Sequence, residues 1–229
     1  MTKSILIVAA TDLEIKPLLH KIYLEKSLNE NLRRFSFGNK TIDVLITSIG
    51  MVATTFHLTQ ILGVHKYDYI INAGICGAFD ESLHLGDVVH VLEDSFADIA
   101  IDTDDGLSPI KLNNSLDKKM LTTSLKNANP ISTPSLQKLK KAKGITVNTI
   151  SSNKRRIDYF MRTYAPDVES MEGASFLYVC NTINKPCTQI RSISNYVGNL
   201  NKEDWNIVLA INNLAEVVFE VIRELGELN

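Results

Sequence analysis

The run Ser4-Ile5-Leu6-Ile7-Val8-Ala9-Ala10 is apolar at nearly every consecutive position, and it limits the fold more than any other stretch. It has the length of a strand and shows no alternation with polar residues, so it needs cover on both faces. Such a strand belongs inside a sheet layered between helices. Thr11-Asp12-Leu13-Glu14 follows at once, with a capping hydroxyl and early acids that start a helix towards His20. The same order recurs along the chain. Strands are expected over 32–37 and 41–48 with a turn at Gly38-Asn39-Lys40, then a helix over 52–62. A strand over 67–72 is expected to close in a loop at Gly74-Ile75-Cys76-Gly77, and another strand spans 87–92.

Residues 102–135 are polar and read as a long excursion with one or two short helices. The sheet resumes over 144–149, a helix follows over 153–163, and a second helix runs from about Met171 to Asn181. The last strand covers 188–194. A final helix places Trp205, Val208, Ala215, Val218, Ile222 and Leu225 on one stripe. Strands alternating with helices give an α/β fold with a mixed central sheet flanked by helices, expected as one domain over 1–229.

Composition narrows the function. Net charge is −2 and no basic run carries interleaved aromatics, so nucleic acid is not an expected partner. No stretch reaches about 18 consecutive apolar residues, and the first run lacks a cleavage-type end, so no membrane association is expected and the protein is placed in the cytoplasm. Cys76, Cys180 and Cys187 form no CxxC and no metal-ligand spacing. No metal and no cofactor is expected.

In layered α/β folds ligands sit beyond the carboxyl ends of strands. That rim gathers Glu14, Gly50, the segment Gly74 to Gly77, Ser151-Ser152, Glu172 and Asn195. Glu14 reads as a general base or as an ordinary first-turn acid favoured by the helix dipole. Glu172 reads as a ligand for vicinal hydroxyls or as a helix-start acid. Asn195, after Ser194, reads as a donor to a base edge or as a turn residue. Gly74-x-x-Gly77 lacks the following Lys-Ser/Thr or third glycine of a phosphate loop.

Taken in order, these motifs resemble the nucleoside phosphorylase and hydrolase superfamily over nearly the whole chain. Ala9-Ala10-Thr11-Asp12-Leu13-Glu14 is similar to the opening of the methylthioadenosine/adenosylhomocysteine nucleosidases. Asn72 to Gly77, Leu85 to Val89 and Ser170-Met171-Glu172-Gly173-Ala174 resemble their central loop, following strand and ribose segment. The resemblance is closer to the futalosine hydrolase branch through Ser95 to Asp98, Val168 to Gly173 and Arg191 to Gly198.

That resemblance implies a hydrolase for a small purine nucleoside. Glu14 would activate water and Asn195 would face the purine. Gly74, Ile75, Gly77, Ser152, Met171, Glu172 and Ser194 would contact substrate, with Glu172 on the ribose hydroxyls and Met171 on the sugar. It also implies a homo-oligomer whose neighbouring subunit completes the site. Where adenosine-type nucleosidases carry Asp, this chain has Asn195. An amide can give N–H to N7 and O6 of a 6-oxopurine. A phosphorylase would need cations or clustered N–H donors at the first strand end, where Asp12 and Glu14 stand instead.

Overall fold

A computed structural model describes residues 2–80, 82–104, 106–110 and 124–225. The first strand, β1 (Lys3–Ala9), lies inside a ten-stranded sheet, between β4 (Lys40–Ile46) and β5 (Tyr69–Ala78), parallel to both. Its side chains alternate between two cores. Ile5 and Ile7 meet Ile15 and Leu18 of α1 (Asp12–Leu19) and Leu214 and Val218 of α6 (Ile207–Glu224). Leu6 and Val8 meet Leu58 and Ile61 of α2 (Met51–Val64) and Phe176 and Leu177 of α5 (Gly173–Thr182). Each buried Leu or Ile contributes about 1.5–3 kcal/mol, so both layers are needed to hold this strand.

Beyond β4 the sheet ends in the antiparallel β3 (Leu32–Phe37) and β2 (Tyr23–Ser27). On the other side, β5 is followed by β12 (Cys187–Tyr196), β6 (Val88–Phe96), β10 (Lys140–Thr146) and β11 (Val168–Ser170). The short β11 bonds to β10 along one edge and to Ala78 and Gly77 of β5 along the other. Five strands therefore close on themselves, which leaves no free edge there. β7 (Ala100–Thr103) and β8 (Gly106–Pro109) form a separate ribbon, and β9 (Ser124–Lys126) pairs with β6. α3 (Pro134–Lys138) starts on the Thr133 cap, and α4 (Lys154–Tyr164) on the Asn153 cap.

The expected α/β fold with a mixed sheet and flanking helices is the one that forms. Several boundaries differ. Gly74 to Gly77 is no loop: β5 runs through it to Ala78, because Arg191 and Asn195 of β12 pack where side chains would stand. The edge strand β2 is wholly exposed and carried no alternation to announce it. In the last helix Ala215, Val218, Ile222 and Leu225 are buried, but Val208 is 68% exposed and Trp205 precedes the helix. The excursion holds β7, β8, β9 and α3, while 111–123 lies outside the described residues. The stretch Lys202–Glu224 is long and apolar enough to cross a membrane, with mean hydropathy 1.4. Its apolar stripe packs on the sheet instead.

Candidate active site

Four parallel strands end on one side of the sheet, and their ends surround a single cavity. β1 delivers Ala10, Thr11, Leu13 and Glu14; β5 delivers Ile75, Cys76 and Gly77; the turn after β4 delivers Ile49; and β12 delivers Ser194, Asn195 and Val197. β11 and its turn add Glu169, Ser170, Met171 and Glu172, and the approach to α6 adds Trp205 and Ile207. Of the residues expected at the site, Glu14, Ile75, Gly77, Met171, Glu172, Ser194 and Asn195 line this cavity together. Gly74 and Ser152 do not. Gly74 packs against Arg191 and Glu14, and Ser152 is exposed, whereas its neighbour Ser151 is buried and the exposed Ile150 borders the cavity.

Glu14 serves two structures at once. Its Oε2 accepts from Thr11 N–H and Oγ1, both at 3.0 Å, closing a capping box on α1. Its Oε1 reaches across to accept from Ile75 N–H at 3.1 Å. So the ordinary capping role is real, and the same carboxylate also faces the cavity. Gly74 makes this crossing possible. A Cβ there would overlap the Arg191 guanidinium and come within 2.9 Å of Glu14 Oε1.

Arg191 is the residue that sequence reasoning passed over. It lies in the middle of β12, is 1% exposed, and gives a hydrogen bond from Nη2 to Asn72 Oδ1. Asn72 is held in turn by donating to Val8 O at 3.0 Å. The signal was present: a lone cation inside an otherwise small or apolar strand needs a buried reason.

Glu172 stands at the N-cap position of α5 yet makes no cap bond to its own helix. Its Oε1 accepts from Gly50 N–H at 3.0 Å. Gly50 holds φ +99°, which a side chain would strain. Burial pushes the Glu172 carboxyl up, and nearby Glu14 adds to this; Arg191 and the N–H groups of Gly50 and Met171 oppose it. Glu172 therefore stands at the start of α5 without capping it, and it lines the cavity.

At Asn195 a bulge in the pairing of β12 with β5 breaks the strand's alternation, so Ser194 and Asn195 both line the cavity. Ser194 Oγ donates to Asn195 Oδ1 at 2.8 Å, and Asn195 Nδ2 donates to Tyr196 O at 3.2 Å. The reverse orientation would set the amide oxygen against the Tyr196 carbonyl. The other amide N–H has no partner among the described residues, where two are expected to face a base. Gly77 gives the amide its room, since a Cβ there would meet Nδ2 at 3.1 Å.

The other lining residues divide by chemistry. Leu13, Ile49, Ile150, Trp205 and Ile207 make an apolar end. The polar end carries three carboxylates, Glu14, Glu169 and Glu172, and no lysine or arginine among the described lining residues. Trp205 is fixed by its Nε1–H on Asn199 O at 3.0 Å.

A family profile described as the phosphorylase superfamily matches residues 4–223. A 5′-methylthioadenosine/S-adenosylhomocysteine nucleosidase of Anoxybacillus flavithermus is 27% identical, over 98% of this chain and all of its own. The futalosine hydrolase of Thermus thermophilus is 26% identical over 80% of this chain and 81% of its own. In three dimensions the chain is similar to a mutant of Helicobacter pylori MTAN with 5′-methylthioadenosine in its active site. That likeness has a TM-score of 0.82 at 21% identity, over 98% of this chain and 100% of the other, and it speaks for the fold.

Proposed function

Because the chain belongs to the phosphorylase superfamily, we propose that it is an N-ribosyl hydrolase for a 6-oxopurine nucleoside, with futalosine as its substrate. One observation carries the reading: Glu14, Glu172 and the free N–H of Asn195 converge on one cavity that holds no cation among its described lining residues. Cleavage of a nucleoside C1′–N9 bond builds positive charge on the sugar and negative charge on the purine. Glu14 takes a proton from the attacking water. Glu172 accepts hydrogen bonds from the ribose hydroxyls, and such charge-assisted bonds orient the sugar strongly. Met171 packs on the sugar, and the negative lining favours an oxocarbenium-like transition state over the ground state.

Asn195 meets the departing base with an N–H donor, which suits the N7/O6 edge of a 6-oxopurine and stabilises the leaving anion. Arg191, one layer back, holds Asn72 and offsets the charge of Glu172. Phosphate would enter a site with three carboxylates facing it, so water is the nucleophile. The apolar end, Leu13, Ile49, Trp205 and Ile207, suits an aromatic 5′ substituent.

A second reading, 5′-methylthioadenosine/S-adenosylhomocysteine nucleosidase, is favoured by the names of most relatives and by the same apolar end, which also suits a thioether. The two differ in the base. A homo-oligomer belongs to the proposal too. Val52 and Phe56 of α2 are 82% and 59% exposed and, with Ile99 and Tyr178, form an apolar face. The helix that carries it begins one residue beyond Gly50, the partner of Glu172. The test is base release from futalosine and from methylthioadenosine, each with and without phosphate. Hypoxanthine released without phosphate is expected. Adenine as the main product favours the second reading, and strict phosphate dependence overturns both.

A further inference from the structure

Gly173 and Ala174 open α5, and their N–H groups are among those a helix leaves without partners of its own. A side chain at the N-cap position ordinarily takes the N–H of the second or third residue. Glu172 holds that position and makes no such bond. Other side chains act in its place. Ser170 Oγ accepts from Gly173 N–H at 3.3 Å, and Thr146 Oγ1, at the end of β10, accepts from Ala174 N–H at 2.7 Å. The Thr146 hydroxyl donates in turn to Asp94 Oδ1 of β6 at 2.8 Å, and Gln189 Nε2 of β12 donates to Asp94 Oδ2 at 2.8 Å. A hydroxyl has one hydrogen, so sending it to Asp94 leaves a lone pair for Ala174.

We propose that Thr146, backed by Asp94, caps α5 on behalf of Glu172 and so keeps the Glu172 carboxylate available to substrate hydroxyls. Both are positioning residues. The inference rests on the proposed ribose role of Glu172 and names what secures it. Without Thr146 Oγ1, the buried Ala174 N–H would lose its acceptor, and the side chain at the cap position is Glu172. Turning to its own helix would take Glu172 from Gly50 N–H and from the cavity. The bland role is a satisfied polar core. The fold alone does not call for one, because burying a carboxylate is costly and packed apolar side chains often do as well. Yet Asp94, Thr146 and Gln189 are all 0% exposed. Room is kept for the carboxylate as well, since a Cβ at Gly144 or Gly173 would overlap Asp94 Oδ2. Burial raises Asp94 to about 6; the bonds from Gln189 and Thr146, the charge of Arg191 and Ser95 N–H oppose this. At about pH 8 it is therefore ionised, and its charge lies beside the first residue of α5, where the helix dipole favours an anion.

The test is the ratio of kcat/KM for a ribonucleoside over its 2′-deoxy form, in the wild type, Thr146→Val and Thr146→Ser. Futalosine and methylthioadenosine are each paired with the 2′-deoxy form, and the pair that is cleaved gives the ratio, whichever base it carries. The greater lability of a deoxy sugar is common to all variants and cancels. Hydrogen bonds from the hydroxyls to a carboxylate should give the wild type a preference of about 10- to 100-fold for the ribose form. Val keeps the shape of Thr without its hydroxyl, so Thr146→Val is expected to lose at least about 10-fold of that preference, while Thr146→Ser keeps it. Lower stability or rate at an unchanged ratio makes the network structural only; that overturns the inference and leaves the ribose role of Glu172 standing. A wild type that cleaves neither pair, or shows no preference, overturns both. Should Thr146→Val not fold, Asp94→Asn is read at about pH 8, where it removes the charge behind Thr146. A ratio equal to the wild type's then overturns the inference.

Discussion

Among the described residues Glu14 accepts three hydrogen bonds, two from Thr11 and one from Ile75 N–H, out of about four lone-pair sites on a carboxylate. One site remains for water, enough for a general base and aimed by the other three. Glu14→Gln replaces an acceptor by a donor that must face an N–H. We expect kcat to fall by about 10²–10⁴-fold, with a loss of about 1–3 kcal/mol in stability. Steady-state kinetics and urea unfolding read the two effects, and an unchanged kcat would remove Glu14 from the chemistry. At Asn195, Asp would lose the N–H given to the base, and one oxygen would face the Tyr196 carbonyl. Asn195→Asp should therefore cut cleavage of 6-oxopurine nucleosides by about 10- to 100-fold, and unchanged kcat/KM would contradict the role of the amide. Two other buried groups set a pH dependence. Burial raises Asp94 to about 6 and lowers His90 to about 4. Native Asp94 keeps a proton between about pH 4 and 6 that the unfolded chain has shed, so it adds stability as pH falls. Native His90 refuses one that the unfolded chain takes up below about pH 6.5, so it removes stability over much the same interval. Asp94→Asn abolishes the gain and keeps the loss. Its unfolding free energy should fall more steeply than the wild type's from pH 6.5 to 4.5, by about 1–3 kcal/mol, and parallel curves would refute the assignment.

Elements were legible where one physical signal dominated. The unbroken apolar run of β1, the Thr11 cap and the Gly38 turn each specify local structure with little help from the rest of the molecule. β5 was not legible past Asn72. Its glycines are strand residues kept small by neighbours from β12 that are far away in sequence, and no local rule distinguishes that from a loop. The rim acids were legible as candidates, because chemistry restricts which residue types can serve there. Their pairings were not: Gly50 and Ile75 are on the expected rim, but the N–H that each gives, to Glu172 and to Glu14, is a backbone group with no residue signature. Arg191 was hidden by its motif, where small neighbours drew the eye. Gly173 shows the same tertiary logic at the start of α5. A Cβ there would overlap the Asp94 carboxylate and the Gln189 amide, both fixed in the core by the 2.8 Å bond between them. Gly173→Ala should cost about 1–3 kcal/mol and displace Glu172 with its helix. Denaturation with parallel kinetics tests this, and a variant as stable and active as the wild type would contradict the packing account.

Across the molecule, the strands β5, β12, β6, β10 and β11 close on one another, and Ile49, two residues before α2, lines the cavity. In the proposed oligomer the exposed apolar face of α2 is the association surface, as contiguous patches of this kind are elsewhere. If a second copy covers it, Phe56→Glu should shift sedimentation to the monomer and lower activity, because the face adjoins the turn that holds Glu172. A wild type that sediments as a monomer at all concentrations would remove the oligomer from the proposal. The central claim is hydrolysis with preference for a 6-oxopurine, and one competition tests it most directly. Futalosine and methylthioadenosine are mixed at equal concentration in phosphate-free H2¹⁸O, and the released bases and the sugars are read together by mass spectrometry. The account predicts hypoxanthine ahead of adenine, with ¹⁸O at C1′ of the sugar product. Adenine ahead of hypoxanthine, or a sugar without the label, would contradict it.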